Sequence, residues 1–371
     1  RLARVERRRQ APHFVQMALS RRPAGGATTL DLELQRRVVE LAAAELSDLP
    51  ADTDCAVVVL DVASGEVRAL LGSRDAGDPL DGQVNGATAR RSPGSALKPF
   101  VYAAAFESRR LRPGSVLADE PVDLSGWRPE NLDRRYHGPV TAAEALRRSL
   151  NVPALVAAQR AGFARCLGVI GACGVELPPG VAEQSGLALV TGGTEVTLLD
   201  LTSAFATLAR GGIAVRPRLF ADEPRLQRPA LSAATCRAIR AILAEEPGRA
   251  DGPWWKTGTS SGHRDALAVG GWDGVVAGVW VGRFGGAGHA AYLGRDAAAP
   301  LLLEVLEAPR PTQQRAPRKS PGSSIDSNGR GRPRSGRRIL DDAGNARLRS
   351  RLARAPAAPR AVPLVPPPRR P

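Results

Sequence analysis

Strand signals lie near both ends of the chain and helical patterns fill the middle, which constrains the fold more than any other feature. AVVVLDVASGEVRALLGS, at 56–73, contains two β-rich runs around Ala-Ser-Gly and predicts a hairpin. WWKTGTSSG and DALAVGGWDGVVAGVWVGR, within 254–283, predict a strand, a turn and two further strands. The pattern predicts an α+β fold whose sheet takes strands from both ends of the chain.

Five segments before, between and after these strands repeat apolar residues at helical spacing. TTLDLELQRRVVELAAAELSDL starts with Thr or Asp as a cap and has acidic residues in its first turn. VTLLDLTSAFATLARGG is closed by Gly-Gly. The other helices are predicted at SALKPFVYAAAFES, at TAAEALRRSLNVPALVAAQRAG with a break at Asn-Val-Pro, and at AAAPLLLEVLEA. The stretch from Arg112 to Gly138 has no regular period and is predicted to be a long, folded surface excursion.

The distribution of charge separates a nearly neutral domain from a basic tail. Residues 309–371 hold 16 Lys and Arg and 3 Asp and Glu, whereas residues 1–308 hold 36 and 34. The tail has no aromatic residue and too little apolar surface to offset its ordering entropy, so we expect disorder there. Residues 1–29 are basic and polar with little periodicity. We therefore assign 1–29 to a linker, 30–308 to the folded domain and 309–371 to a disordered Arg/Pro-rich tail.

Cysteine and histidine positions give no metal site, and we expect neither a metal nor another cofactor. Cys55, Cys166, Cys173 and Cys236 lack ligand spacing, and buried free thiols are the favoured interpretation. Cys166 and Cys173 alone are close enough in sequence to suggest a disulfide. The chain has no apolar run of about 18 residues and no signal peptide. It starts at Arg1 rather than at methionine, so we expect a fragment with its export signal or membrane anchor upstream.

Three short motifs carry the candidate chemistry, and their order and wide spacing are more specific than any one of them alone. They are Ser95-Ala-Leu-Lys98, Ser149-Leu-Asn151, and Lys256-Thr257-Gly258 followed by Thr259.

In the first motif, Ser95 is the candidate nucleophile and Lys98 the candidate base. A serine hydroxyl attacks poorly until a base removes its proton. Residues three apart share a helix face, so Lys98 is expected to lie over Ser95. A lysine acts as a base when burial and nearby positive charge lower its pKa, and Lys256 is expected to supply that charge. The ordinary alternative, a capping serine with an exposed lysine, predicts more polar neighbours than SALKPFVYAAAF contains.

The second and third motifs are expected to complete the site. Ser149 is expected to relay a proton, and Asn151 to hold a substrate amide or the lysine; ordinary helix-end capping is the alternative. Lys256, Thr257 and Thr259 are expected to meet a substrate carboxylate beside an edge strand, with Gly258 between them. The backbone N–H groups of Ser95 and Thr259 are expected to form an oxyanion hole. A solvated strand start with a glycine bulge is the alternative.

These motifs resemble those of the penicillin-binding transpeptidases, a family of serine acyltransferases. RSPGSALKPFVYAAAFE, PENLDRRYHGPVTAAEALRRSLNVPA and KTGTSSGHRDALAVG resemble the bifunctional class A enzymes, in particular their 1C branch, and the resemblance covers roughly residues 30–308. It implies a penicillin-binding and serine β-lactamase-like fold, with an antiparallel sheet flanked by helices and an all-helical subdomain. It also implies D,D-transpeptidation through acylation of Ser95 by stem peptides ending in D-Ala-D-Ala, with β-lactams as inhibitors.

The resemblance also implies a setting. Class A enzymes carry an upstream membrane anchor and a glycosyltransferase domain, so we expect the periplasmic face of the inner membrane and cell-wall synthesis proteins as partners. We do not assign glycan polymerisation to this chain. Truncation or a frameshift after about Arg310 would explain why the tail does not resemble the small C-terminal β-domain of the 1C branch.

Three other functions remain as alternatives. A D,D-carboxypeptidase or a serine β-lactamase shares the motifs and uses water as acceptor, and a lactamase needs a deacylating glutamate, for which Glu183 or Glu195 is a guess. A non-catalytic penicillin sensor would keep the fold but is disfavoured by intact motifs. A nucleic-acid-binding protein is disfavoured because the domain is nearly neutral and lacks interleaved basic and aromatic residues. We therefore expect no specific nucleic-acid partner.

Overall fold

The structure is a computed structural model that describes residues 10–124, 126–246 and 252–309. The basic tail, apart from its first residue, lies outside the described residues. The helices are α1 (Pro12–Arg21), α2 (Leu32–Leu46), α3 (Lys98–Glu107), α4 (Ala142–Arg147), α5 (Asn151–Ala161), α6 (Phe163–Ala172), α7 (Val181–Ser185), α8 (Leu198–Ala209), α9 (Ala233–Leu243) and α10 (Ala299–Glu307). Short 3₁₀ turns cover Gly94–Leu97 and Gly186–Thr191.

A five-stranded antiparallel sheet forms the centre of the domain. The strands are β1 (Asp54–Asp61), β2 (Val67–Leu71), β3 (Arg90–Arg91), β4 (Val116–Asp119), β5 (Gly138–Thr141), β6 (Val196–Thr197), β7 (Ile213–Val215), β8 (Gln227–Pro229), β9 (Trp254–Thr259), β10 (Asp265–Trp272) and β11 (Val275–Gly282). The large sheet has the order β2-β1-β11-β10-β9. The early hairpin therefore joins the late strands through the β1–β11 pair, as the sequence predicted, and β9 lies at an edge.

Alternation along the strands divides the core between the two faces of the sheet. Val58 and Leu60 of β1 face the side on which α8 packs across β1, β10 and β11. Val57 and Val59 face the opposite side, which α2 and α10 cover. Because both faces are buried, the central strands are apolar at nearly every position.

Behind α8 lies an all-helical part, in which the buried helix α3 packs against α5, α6 and α9. Its boundaries follow the local chemistry of the sequence. Asp31 caps α2, and Thr141, Thr197 and Ser232 cap α4, α8 and α9, each by accepting a backbone N–H with a side-chain oxygen. The helices and strands of the domain thus agree with the predicted α+β fold.

Two local predictions were wrong. Within the predicted linker, Pro12–Arg21 forms α1, which packs against β2, and its Phe14 is fully buried. The break predicted at Asn-Val-Pro lies earlier, between Arg147 and Asn151, and Pro153 sits in the first turn of α5. A proline is tolerated there because early helical N–H groups have no partner in the helix.

The excursion predicted between Arg112 and Gly138 is folded: β4 pairs with β5, and Asp119 at the end of β4 is fully buried. The four cysteines are buried with free thiols, as predicted, and no Cys166–Cys173 disulfide is present. Among the described residues, no helix is both long and apolar enough to cross a membrane.

The packing of α1 gives a test of whether the helix is part of the folded domain. Replacing Phe14 by alanine removes a fully buried ring, and we expect the free energy of unfolding to fall by about 3–5 kcal/mol. The control is Val15→Ala, because Val15 is next in sequence and 49% exposed, and it should change stability by less than about 0.5 kcal/mol. Urea denaturation checks both variants. Equal, small changes in the free energy of unfolding for both variants would mean that the packing of α1 does not stabilise the domain.

Candidate active site

Ser95 lies in the 3₁₀ turn that leads into α3, and Lys98 is the first residue of that helix. The backbone N–H of Lys98 donates to the carbonyl oxygen of Ser95. In a 3₁₀ turn, side chains three residues apart eclipse each other, so Ser95 and Lys98 face the same way more closely than on the α-helix that the sequence predicted. Lys98 is fully buried, whereas Ser95 is half-buried.

Glycines let this turn pack directly against β9. A Cβ atom on Gly258 would lie 2.0 Å from the carbonyl oxygen of Pro93, and a Cβ atom on Gly94 would lie 2.6 Å from the backbone nitrogen of Thr259. Gly94 also has a φ of +51°, which favours glycine. The turn that carries Ser95 and the strand that carries Lys256 therefore touch backbone to backbone.

Ser149 enters the site from the break between α4 and α5, in a left-handed conformation with a φ of +62°. The helix α4 ends in a Schellman motif, in which Leu150 N donates to Ala145 O and Ser149 N donates to Leu146 O. Glycine is usual at the position that Ser149 occupies. The serine hydroxyl accepts a hydrogen bond from Lys256 Nζ at 2.8 Å, and its carbonyl oxygen accepts one from Lys98 Nζ at 2.6 Å.

The ammonium group of Lys98 is surrounded by oxygen acceptors. Lys98 Nζ donates to Ser149 O, to Leu150 O at 3.1 Å and to Asn151 Oδ1 at 2.6 Å. Burial lowers the pKa of Lys98 well below its usual range, and the nearby charge of Lys256 lowers it further, while the charge of Asp119 acts in the opposite direction. The oxygens hold an ammonium group in place, and the surroundings favour its loss of a proton.

Lys256 is the second buried cation. Its Nζ donates to Ser149 Oγ and, at 2.7 Å, to the carbonyl oxygen of Thr257. Burial lowers its pKa from 10.5 to about 7. Lys256 can therefore gain or lose a proton near neutral pH.

The side chains of Thr257 and Thr259 alternate with that of Lys256 along β9, and their contact with a substrate carboxylate stays a prediction. In the register of β9, Lys256 pairs with Val269, which faces α8, whereas Thr257 pairs with Ala268, which faces α10. Thr259 shares the face of Thr257, and its hydroxyl oxygen accepts a hydrogen bond from the N–H of Gly294. Because strand side chains alternate, the two hydroxyls lie on the face opposite Lys256.

The structure thus brings together five of the predicted residues, namely Ser95, Lys98, Ser149, Asn151 and Lys256, and gives Gly258 a packing role. Glu183 and Glu195 are both exposed, and neither side chain hydrogen-bonds to these five among the described residues.

Sequence reasoning missed Glu130 and Asn131, which contact Asn151 from the excursion, and Asp119, which accepts a hydrogen bond from Asn131. The backbone N–H of Asn151 donates to Asn131 Oδ1 at 2.7 Å, and the side-chain nitrogen Nδ2 of Asn151 donates to Glu130 O at 2.5 Å. These residues stand in an aperiodic stretch, where no local pattern indicates a role.

Residues 55–273, more than half of the chain, match the family described as the penicillin binding protein transpeptidase domain. The chain belongs to this transpeptidase family. Membership makes it a penicillin-binding transpeptidase domain, related to class A proteins and to the enzymes that cross-link peptidoglycan by acyl transfer. The motifs and the family thus lead to the same reaction class.

Among relatives of this transpeptidase, penicillin-binding protein 1C of Escherichia coli (strain K12) is 38% identical over 307 residues, covering 80% of this chain and 40% of that protein. Penicillin-binding protein 1A of Neisseria gonorrhoeae is 29% identical over 315 residues, covering 74% and 38%. The chain therefore spans about two fifths of the length of these curated relatives.

Solved structures confirm the transpeptidase fold. The PonA1 protein from Mycobacterium tuberculosis in complex with penicillin V matches with a TM-score of 0.65 and 24% identity, over 76% of this chain and 84% of that chain. Penicillin-binding protein 1A from Haemophilus influenzae matches with a TM-score of 0.61 and 23% identity, over 70% and 48%.

The lysines offer a direct test of the electrostatics, because the sequence holds only three, at 98, 256 and 319. Lysine-selective ¹³C labelling should show one resonance that titrates near pH 7, and Lys256→Met should remove it. Lys319→Arg identifies the resonance of the tail. Since the folded pKa of Lys256 lies below 10.5, the folded domain binds fewer protons, and its unfolding free energy should rise between pH 7 and 10.5. A Lys256 midpoint near 10.5 would refute the effect of burial.

The left-handed serine gives a second test, in which stability and activity separate. Ser149→Gly and Ser149→Ala both remove the hydroxyl, and we expect both to slow penicillin acylation by about 10²–10⁴-fold if it carries a proton. Glycine suits the positive φ, so the glycine variant should be more stable than the alanine variant by roughly 1 kcal/mol. Stopped-flow acylation and thermal unfolding measure the two effects. Unchanged acylation in both variants would leave Ser149 with a structural role only.

Proposed function

We propose that this chain is the catalytic part of a serine-type D,D-transpeptidase that cross-links peptidoglycan stem peptides ending in D-Ala-D-Ala. One observation carries the proposal: Lys98, Ser149, Asn151 and Lys256 form a continuous hydrogen-bonded cluster beside the half-buried Ser95. Such a cluster places a candidate nucleophile, a candidate base and a candidate proton donor next to one another.

Acylation begins when Lys98 loses a proton. A neutral amine has two N–H donors and one lone pair, so it can keep two of its three oxygen contacts and turn the lone pair to Ser95. The Ser95 oxygen then attacks the carbonyl carbon of the penultimate D-Ala, and its proton passes to Lys98 Nζ. The tetrahedral oxygen carries the negative charge until the C–N bond breaks.

Ser149 and Lys256 serve the leaving group. The Ser149 oxygen accepts from Lys256 Nζ, so its own hydroxyl proton is available to the departing amine of the terminal D-Ala. Lys256 then returns a proton to Ser149. A lysine with a pKa of about 7 can make this transfer at neutral pH.

The edge strand β9 is suited to hold the peptide. Ser260 N donates to Asp265 O on the β10 side, and backbone groups alternate along a strand, so those of Thr257 and Thr259 point to the open edge. An extended stem peptide can pair there, with its terminal carboxylate on Lys256. The N–H groups of Ser95 and Thr259 would then hold the tetrahedral oxygen, which the close approach of Gly94 to Thr259 N supports.

Deacylation distinguishes a transpeptidase from a hydrolase. We propose that an amine of a neighbouring strand attacks the acyl-enzyme and passes its proton through Ser149 to the neutral Lys256. The new amide forms as the bond to the Ser95 oxygen breaks, and Lys98 returns its proton to that oxygen. The exposure of Glu183 and Glu195 gives no support to a deacylating glutamate. We place the reaction at the periplasmic face of the inner membrane, with β-lactams as inhibitors and cell-wall synthesis proteins as partners.

Intact-protein mass spectrometry after penicillin treatment tests the nucleophile. Wild type should gain one penicillin mass, located by peptide mapping at Ser95, and Ser95→Ala should gain none. The matched control is Ser47→Ala, because Ser47 is exposed and its hydroxyl donates to Ala44 O at its own helix end; it should label fully. An adduct elsewhere, or labelling of Ser95→Ala, would overturn the assignment, and an adduct lost within seconds would indicate a hydrolase.

The same assay tests the base. Lys98→Ala should acylate about 10²–10⁴-fold more slowly than wild type, and the protein should stay folded, because neutral alanine removes a buried charge rather than creating one. An unchanged rate would exclude Lys98 as the base.

A further inference from the structure

Asp119 is a buried carboxylate near the cluster of Lys98, Ser149, Asn151 and Lys256, and it has no part in the proton transfers proposed for that cluster. It is fully buried at the end of β4. Its oxygens accept from Asn131 Nδ2 at 3.0 and 2.8 Å and from the backbone N–H of His137 at 3.0 Å. Among the described residues, no Arg or Lys forms an ion pair with it. Burying a carboxylate without a paired cation costs free energy, so we expect its hydrogen bonds to serve a role.

The carboxylate fixes the orientation of the Asn131 amide. A carboxylate oxygen can only accept, so the Asn131 amide must turn its nitrogen towards Asp119. The same nitrogen donates to Arg135 O at 2.7 Å. The amide oxygen of Asn131 is thereby left to accept the backbone N–H of Asn151, at 2.7 Å.

The orientation of the Asn151 amide is fixed in the same way. Its nitrogen donates to Glu130 O, a backbone carbonyl that can only accept. Its oxygen therefore faces Lys98 Nζ, a group that can only donate while it is charged. In each hydrogen bond from Asp119 to Lys98, the acceptor lies on the Asp119 side and the donor on the Lys98 side. The groups at the ends of this network, Asp119, Glu130 O and the charged Lys98, cannot exchange donor and acceptor roles.

We propose that Asp119 and Asn131 are positioning residues for the transpeptidase reaction, which fix the backbone at the start of α5 and so hold the Asn151 side chain beside Lys98. This inference rests on the function proposed for Lys98. Neither residue needs to touch the substrate, since both act through Asn151.

The same carboxylate acts on the base electrostatically. The charged groups near Lys98 are Lys256, whose charge lowers the pKa of Lys98, and Asp119, whose charge raises it. Burial raises the pKa of the Tyr102 phenol, and the charge of the nearby Asp119 carboxylate raises it further. Removing the negative charge should therefore lower the pKa of Lys98 and move the acidic limb of the acylation profile to lower pH.

The first test compares Asp119→Asn with Asp123→Asn in the full chain. Asp123→Asn is the same substitution in the same excursion, but Asp123 lies outside the network and accepts hydrogen bonds from Gly126 N and Arg128. In Asp119→Asn the new NH₂ group meets the NH₂ group of Asn131, and we expect penicillin acylation at its pH optimum to fall on the order of 10²-fold. The acidic limb should also shift to lower pH. Asp123→Asn should match wild type in both respects.

The second test exchanges the two residues, so that the donors and acceptors of the network again match. Asn131→Asp places two carboxylates together and should acylate as slowly as Asp119→Asn. The exchange Asp119→Asn with Asn131→Asp again offers an oxygen to Asn151 N–H and keeps one negative charge, so it should recover to within roughly 10-fold of wild type, since one good hydrogen-bond geometry is worth about that factor. The exchange also serves if the single variants fail to fold.

Two results would overturn the proposal. In the first, the variants acylate at the wild-type rate with an unshifted acidic limb. In the second, the rate falls only in proportion to the folded fraction, which would make the network structural. The ¹³C-lysine spectrum separates these from failure of the function: a Lys98 resonance that moves in Asp119→Asn but not in Asp123→Asn supports the coupling of Asp119 to Lys98 even if wild type does not label at Ser95.

Discussion

Two lysine side chains buried in one hydrogen-bonded cluster are the constraint on which the rest of the site depends. Taking an ammonium group out of water costs several kcal/mol, and oxygen acceptors must replace the lost hydration. Lys98 finds the carbonyl oxygens of Ser149 and Leu150, and Lys256 finds that of Thr257. Such oxygens are free only where a helix stops or a strand lies at an edge, because inside a helix or a sheet they already accept a backbone N–H.

This requirement explains why three distant segments meet. The break between α4 and α5 supplies two carbonyl oxygens and a hydroxyl, and the edge of β9 supplies a third carbonyl and the second lysine. The turn before α3 supplies Ser95, the proposed nucleophile. Glycines at 94 and 258 remove the Cβ atoms that would hold the turn and the strand apart. The left-handed Ser149 is the strained element, held by the Schellman hydrogen bonds of α4.

The sequence predicts the structural features that depend on hydrophobic periodicity and on local helix capping. The hairpin, the late strands, the cap at Asp31 and the motif residues were found because alternation, side-chain caps and motif spacing are local properties. The left-handed Ser149, the burial of Phe14 and the side of β9 that Thr257 faces depend on tertiary packing or register, and a window of neighbouring residues contains neither. Asp119 illustrates the limit, since its partner Asn131 is twelve positions away in an aperiodic stretch.

The use of lysine itself agrees with this chemistry. Only three of the 52 basic side chains are lysines, and two of them are Lys98 and Lys256. Everywhere else in the described domain the chain places arginine, whose guanidinium stays charged in proteins and forms ion pairs on the surface. An arginine at 98 could donate to the same carbonyl oxygens but could not lose a proton to become a base. Burial therefore has opposite consequences for the two cations: it makes a lysine reactive, and it would leave an arginine charged and without a catalytic role.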